Sequence, residues 1–129
     1  MIVRYLLDTS LISKRDSYAK ARAWIVAHQA QIVLSVFTIA EIQRGIERLP
    51  AGPKRRTLQG FLEELLSDYP VLVFDTECAA AWASYVERAG RPLPLMDSLI
   101  AAIAIAHNLQ LVTDNEKDFP HIDLVNPLK

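Results

Sequence analysis

The stretch LMDSLIAAIAIAHN, residues 95–108, sets one carboxylate, Asp97, just ahead of eight consecutive apolar residues, Leu99 to Ala106. A helix built from that run has no polar face, so it belongs in the interior of a fold. It is far too short for the ~20 residues that cross a bilayer. Two explanations fit a carboxylate at the mouth of such a helix. Asp is a good N-cap, worth about 1 kcal/mol. Ser or Thr would cap nearly as well, however, and a carboxylate near the interior is costly unless it meets a cation or several donors. The second explanation therefore makes Asp97 one of several acids that meet at a metal ion.

Outward from that helix the chain alternates strands and helices. IVRYLL (2–7), IVLS (32–35), VLVF (71–74) and LQLVT (109–113) read as short apolar strands, with IDLVN (122–126) as a fifth. Between the first two lies a helical stretch ending in SYAKARAWIVAHQ (17–29), where Ala21, Trp24, Ile25 and His28 recur at helical spacing. Ile39, Ile42, Ile46 and Leu49 mark one face of the next helix. A further helix, begun by Pro53 and running to Asp68, carries Leu58, Phe61, Leu62 and Leu65 on one side. TECAAAWASYVERAG (76–90) is a helix closed by Gly90, RPLPL (91–95) is an extended connector, and Asn108 ends the apolar helix. Solidly apolar strands alternating with helices predict an α/β domain of three layers, a central parallel sheet of four or five strands flanked by helices. Right-handed crossovers then bring every strand end to one edge, where ligands of open α/β sheets bind. Asp8, Ser35 and Thr113 should gather there.

Composition narrows the classes. A chain of 129 residues, 51% apolar and 22% charged, reads as one folded domain, residues 1–129. Its formal charge of −1 supplies no global field for nucleic acid, so any such binding needs a local patch. Arg44, Arg48, Lys54, Arg55 and Arg56, offset by Glu47, form the densest one, which reads either as RNA-backbone contacts or as a solvated helix face and loop. The single Cys78 excludes an internal disulfide and a cysteine zinc site. Arg4 and Asp8 interrupt any secretory h-region at the start, and a cytoplasmic protein without a membrane segment is expected. No GxGxxG or GxxxxGK[ST] pattern occurs, and His28, His107 and His121 form no ligand set.

The acids are each open to a local role. Asp8 can cap the helix after the first strand, and Thr38 with Glu41 forms a capping box in TIAE. Asp114, Glu116 and Asp118 lie in VTDNEKDF, which on its own is a solvated loop. Gathered at one edge, they are harder to explain locally. Two carboxylates ~4 Å apart repel by about 4 kcal/mol at an effective dielectric of 20. Such a cluster shifts its own pKa values or recruits a cation, and an all-oxygen set suits Mg²⁺ or Mn²⁺ rather than Zn²⁺.

LLDTS (6–10), SVFTIAEIQRGIERLP (35–50), GRPLPLMDSLIAAIAIAHNLQLVTDNEKDF (90–119) and LVNP (124–127) together resemble the PIN-domain ribonucleases, and within them the VapC/FitB-like toxins of type II toxin–antitoxin pairs. The resemblance implies an acidic pocket for Mg²⁺ or Mn²⁺, with Asp8, Glu41 and Asp97 at the positions of three family acids and Asp118 at the fourth; Asp114 is the rival for that place. Asn115 matches the family's asparagine, Thr113 precedes this loop, and Ser10 departs from the asparagine common in relatives while keeping a hydroxyl able to orient a carboxylate. Metal-dependent hydrolysis of RNA, of the tRNA or rRNA class, is implied, leaving a 5′-phosphate and a 3′-hydroxyl. The implied partners are a VapB-like antitoxin, a second copy in a homodimer, and operator DNA reached only through the antitoxin in a hetero-oligomer. The competing reading keeps the fold but not the catalysis: a silent module acting through antitoxin and operator binding. A phosphotransfer receiver would need a lysine at a late strand end, where this chain has Asp114 beside Thr113.

Overall fold

The computed structural model describes residues 2–129. The elements run β1 (Tyr5–Leu7), α1 (Thr9–Lys14), α2 (Ala19–His28), β2 (Ile32–Ser35), α3 (Val36–Arg48), α4 (Pro53–Asp68), β3 (Val71–Leu72), α5 (Thr76–Ala89), α6 (Leu95–Ala106), β4 (Gln110–Val112) and β5 (Leu124–Val125). The five strands form one sheet in the order β3-β2-β1-β4-β5, and every neighbouring pair is parallel. This is the expected α/β architecture, with the fifth strand present and every strand but β2 shorter than its apolar run.

The two cores follow from the twofold alternation of strand side chains. Leu6, Val33 and Leu111, which are in register across the sheet, pack on one face with Cys78, Tyr85, Ile100, Ile103 and Phe119. Leu7, Ile32, Leu34 and Val112 point the other way, onto Leu11, Ile25, Ile42, Ile46, Leu62 and Leu65. Helices α5 and α6 thus cover one face and α1 to α4 the other. Ile100 to Ala104 are wholly enclosed, as the all-apolar run requires.

Two helix starts differ from the capping patterns in the sequence. Helix α3 begins directly on the end of β2: Ser35, not Thr38, is the N-cap, and its hydroxyl accepts from Thr38 N at 3.1 Å. Helix α6 begins after Pro94, so Asp97 is in its first turn rather than at the cap. There it still faces the favourable end of the helix dipole. The stretch after Asp8 is two helices, because Tyr18 takes extended backbone between them. Asp8 does cap α1, Asn108 and Gly90 take left-handed backbone, and Pro53 opens α4.

Gly90 (φ 67°) turns α5 into the connector ahead of α6. A Cβ built there meets nothing within 4 Å, so Gly90→Ala isolates the backbone cost. It should lower the unfolding free energy by about 1 kcal/mol in urea titrations. Gly60, inside α4 with equally open space, should show the opposite sign: Gly60→Ala is expected to raise stability by about 0.5–1 kcal/mol.

Candidate active site

Parallel strands bring their C-terminal ends together, and Asp8 sits at the centre of that edge, at the end of β1. Its backbone N–H donates to Val112 O on β4 at 2.9 Å. Its side chain is only 4% exposed. Three donors meet it: Thr9 N at 2.9 Å on Oδ1, with Ser10 Oγ at 2.9 Å and Thr113 Oγ1 at 2.8 Å on Oδ2. Burial nevertheless dominates and pushes its carboxyl above the ordinary aspartate range; the donors oppose this and nearby Asp114 adds to it.

Glu41 lies on the α3 side of the same edge. Thr9 Oγ1 donates to Glu41 Oε1 at 2.8 Å, and Thr9 Oγ1 is also 2.9 Å from Thr38 Oγ1. With the single Thr9 proton spent on Glu41, the Thr38 hydroxyl donates to Thr9. Glu41 is therefore held by a hydroxyl from α1, not by a return bond to the Thr38 backbone.

Asp97 approaches from α6. The helix start is fixed by Trp82 Nε1, which donates to Ser98 Oγ at 2.9 Å, while Ser98 Oγ donates to Leu95 O at 2.7 Å. The Asp97 carboxyl is raised to about 6, first by burial and then by the charges of Asp8, Asp118 and Glu41. These are the acids brought together: each acts on Asp97, and among the described residues no basic group offsets them there.

The loop after β4 divides its acids. Asp118 Oδ2 accepts from Asn115 Nδ2 at 2.7 Å, and Asn115 N donates to Thr113 Oγ1 at 3.1 Å, so the asparagine orients Asp118 toward the cluster. Asp114 is engaged elsewhere. Burial works to raise it, but Lys14 and Ser10 outweigh that and hold its carboxyl below the usual range. Glu116 turns away to Asn126 and Lys129.

Of the basic segment, Arg55 is taken up in the α3–α4 turn. It donates to Leu49 O at 3.0 Å and lies 3.7 Å from Glu47. Arg44, Arg48, Lys54 and Arg56 are exposed. Lys54 and Asp16 flank an apolar groove of about 540 Å³, walled by Ile12, Ile42, Leu58 and Phe61 and reaching Thr9 beside the acids. Thr9, Lys14 and Trp82 serve the site without a sequence motif that marks them. Only the position of Thr9 directly after Asp8 hints at its role.

The donor set is all oxygen and net negative, which fits a hard divalent cation. Among the described residues, no three of these side chains stand close enough to enclose an ion directly.

The raised Asp97 carboxyl has a thermodynamic sign. Its folded value near 6 exceeds the usual 3.8, so the folded state binds its proton more tightly than the unfolded chain does. Stability from this group is full below about pH 4 and is lost as pH rises through 6. Asp97→Asn should therefore melt a few degrees above wild type at pH 7.5 in EDTA. The gap should close by pH 4.5; an equal gap at both pH values would contradict this electrostatic origin.

Comparison with known proteins agrees with this fold. The PIN domain family matches residues 5–124. The VapC ribonuclease Y4jK of Sinorhizobium fredii is 33% identical over 134 aligned residues, 95% of this chain and 96% of that one. FitAcB from Neisseria gonorrhoeae superposes with a TM-score of 0.85 at 30% identity, covering 96% of this chain and 98% of the other. VapBC2 from Rickettsia felis, solved bound to a DNA fragment from its promoter, gives 0.81 at 27% identity with 98% of each chain covered. With the matched region running from β1 to the first residue of β5 and including all the edge acids, the chain belongs to the PIN-domain family.

Proposed function

We propose that this protein, acting as one PIN domain over residues 1–129, is a divalent-cation-dependent endoribonuclease toxin held silent by a VapB-like antitoxin. The observation that carries this reading is the gathering of Asp8, Glu41, Asp97 and Asp118, from four separate segments, at one negative edge where, among the described residues, no basic group offsets the acids acting on Asp97. Asp8 and Asp97 would hold Mg²⁺ or Mn²⁺ directly, and Glu41 and Asp118 would act through water. When bound, such a cation supplies the charge that acidifies an attacking water and offsets the charge that builds on the phosphate.

The chain's own residues set the stage for that chemistry. Thr113, Ser10 and the Thr9 backbone fix the Asp8 carboxylate, Thr9 Oγ1 fixes Glu41, and Asn115 fixes Asp118. Preorganised groups of this kind need no rearrangement as charge develops. Arg44, Arg48, Lys54 and Arg56 would hold the RNA backbone through charge alone. The apolar groove at Thr9 suits an antitoxin tail, whose basic side chain would pair with the carboxylates. Relatives seen with antitoxin and promoter DNA support a hetero-oligomer in which operator binding belongs to the partner. A homodimer working in the cytoplasm completes the reading. A catalytically silent module would be expected to lack one of these acids, and none is missing.

The test is cleavage of total RNA by antitoxin-free protein with Mg²⁺, with Mn²⁺ and with EDTA. Wild type should cut with either metal and stop in EDTA. Asp97→Asn, folded by its melt, should lose roughly 100-fold or more. Folded wild type that cuts no RNA pool with either metal would favour the silent module.

A further inference from the structure

Asp114 is the fifth acid of this edge, with one oxygen in an ion pair and the other within reach of a hydroxyl. Oδ2 is paired with Lys14 Nζ, and Oδ1 accepts from Ser10 Oγ at 3.0 Å. The Asp114 carboxylate is 14% exposed and the Lys14 side chain 37%, so a partly solvated lysine meets a largely enclosed acid. Its charge is felt at Asp8 but is not among those that raise Asp97, where Asp118, four residues on, acts.

The position of Lys14 gives this pair its meaning. Lys14 is the last residue of α1, the helix that Asp8 caps and that carries Thr9 and Ser10. Asp114 opens the loop that carries Asn115 and Asp118. The ion pair therefore ties α1, with its grip on Asp8 and Glu41, to the loop that presents Asp118. Arg91, in the connector ahead of α6, makes a second tie to this loop by donating to Lys117 O.

Ser10 sharpens the point. Its one proton lies within reach of two carboxylates, Asp8 Oδ2 at 2.9 Å and Asp114 Oδ1 at 3.0 Å. It serves only one at a time. When it turns to Asp8, Lys14 still satisfies Asp114; when it turns to Asp114, Thr113 and the Thr9 N–H still satisfy Asp8. Without Lys14, Asp114 would depend on the one proton that Ser10 also offers to Asp8.

Resting on the cation reading above, we infer that Lys14 is a positioning residue: by pairing with Asp114 it fixes α1 against the loop after β4 and withdraws Asp114 from the carboxylates open to a cation. The ion-holding set is then Asp8, Glu41, Asp97 and Asp118. If Asp114 serves the pair rather than the ion, its charge can be exchanged with that of Lys14. A ligand carboxylate cannot be replaced by arginine.

The experiment uses Lys14→Glu, Asp114→Arg and the double exchange, read by thermal melts and by Mn²⁺ binding in EPR titrations. Each single reversal should lower the melting temperature by about 3 °C or more, and the double exchange should recover most of that loss. The double exchange should also bind Mn²⁺ within about twofold of the wild-type Kd. A double variant that melts like wild type but has lost Mn²⁺ overturns the proposal and makes Asp114 a ligand. Single reversals that leave the melt unchanged overturn it too. If the double exchange does not fold, Lys14→Met with Asp114→Asn takes its place, and loss of Mn²⁺ binding there is equally fatal. Asp97→Asn separates the two ideas. If it binds Mn²⁺ as wild type does, or if wild type binds none, the cation reading falls, while recovery in the melts still decides the pair.

Discussion

A carboxylate taken out of water must be met by donors or by positive charge, and Asp8 is met by donors alone. Three hydrogen bonds surround it at the end of β1, two of them from hydroxyls of Ser10 and Thr113. Desolvation still wins over those bonds. The rest of the edge is built around this imbalance. Helix α1 starts on Asp8, β4 ends beside it, and its neighbour Thr9 reaches across to Glu41 on α3. Parallel strands leave no other place for these groups to go.

Asp97 extends the same imbalance to a second element. A protein selecting for stability alone would not aim the first turn of its most enclosed helix at three other acids. The arrangement is costly to the fold taken alone, as expected of a site whose strain is kept for function. Trp82 and Ser98 supply the rigidity that keeps Asp97 from turning away. Lys14 performs the complementary task at the periphery, neutralising the one acid that is not needed at the centre.

Much of this was legible in the residues, for reasons that can be named. The solid apolar strands required burial on both faces, and the in-register alternation of Leu6 with Leu7 and Leu111 with Val112 shows how one sheet feeds two cores. A run such as Ile100–Ala104 has nowhere to lie except against the sheet. The helix starts were less legible because capping rules weigh only local partners. Thr38-x-x-Glu41 satisfies the capping box, yet Ser35 at the end of β2 reaches the same backbone N–H first and starts α3 three residues earlier. Asp97 was read as a cap because it precedes the apolar run, whereas Pro94 had already set the chain into α6. The Lys14–Asp114 pair was illegible for a different reason: its partners lie 100 positions apart, and no spacing rule links them. The sequence pattern put Asp118 in the fourth place with Asp114 as its rival, and the pair supplies a physical ground for that preference.

The central claim is that these acids are assembled for a divalent cation. It is tested most directly by crystals grown with Mn²⁺ at pH 7.5, diffracting near the manganese absorption edge. An anomalous peak in contact with Asp8 and Asp97, with Glu41 and Asp118 around it and Asp114 still on Lys14, is the predicted result. A peak held by Asp114, or no peak among these carboxylates, would contradict it.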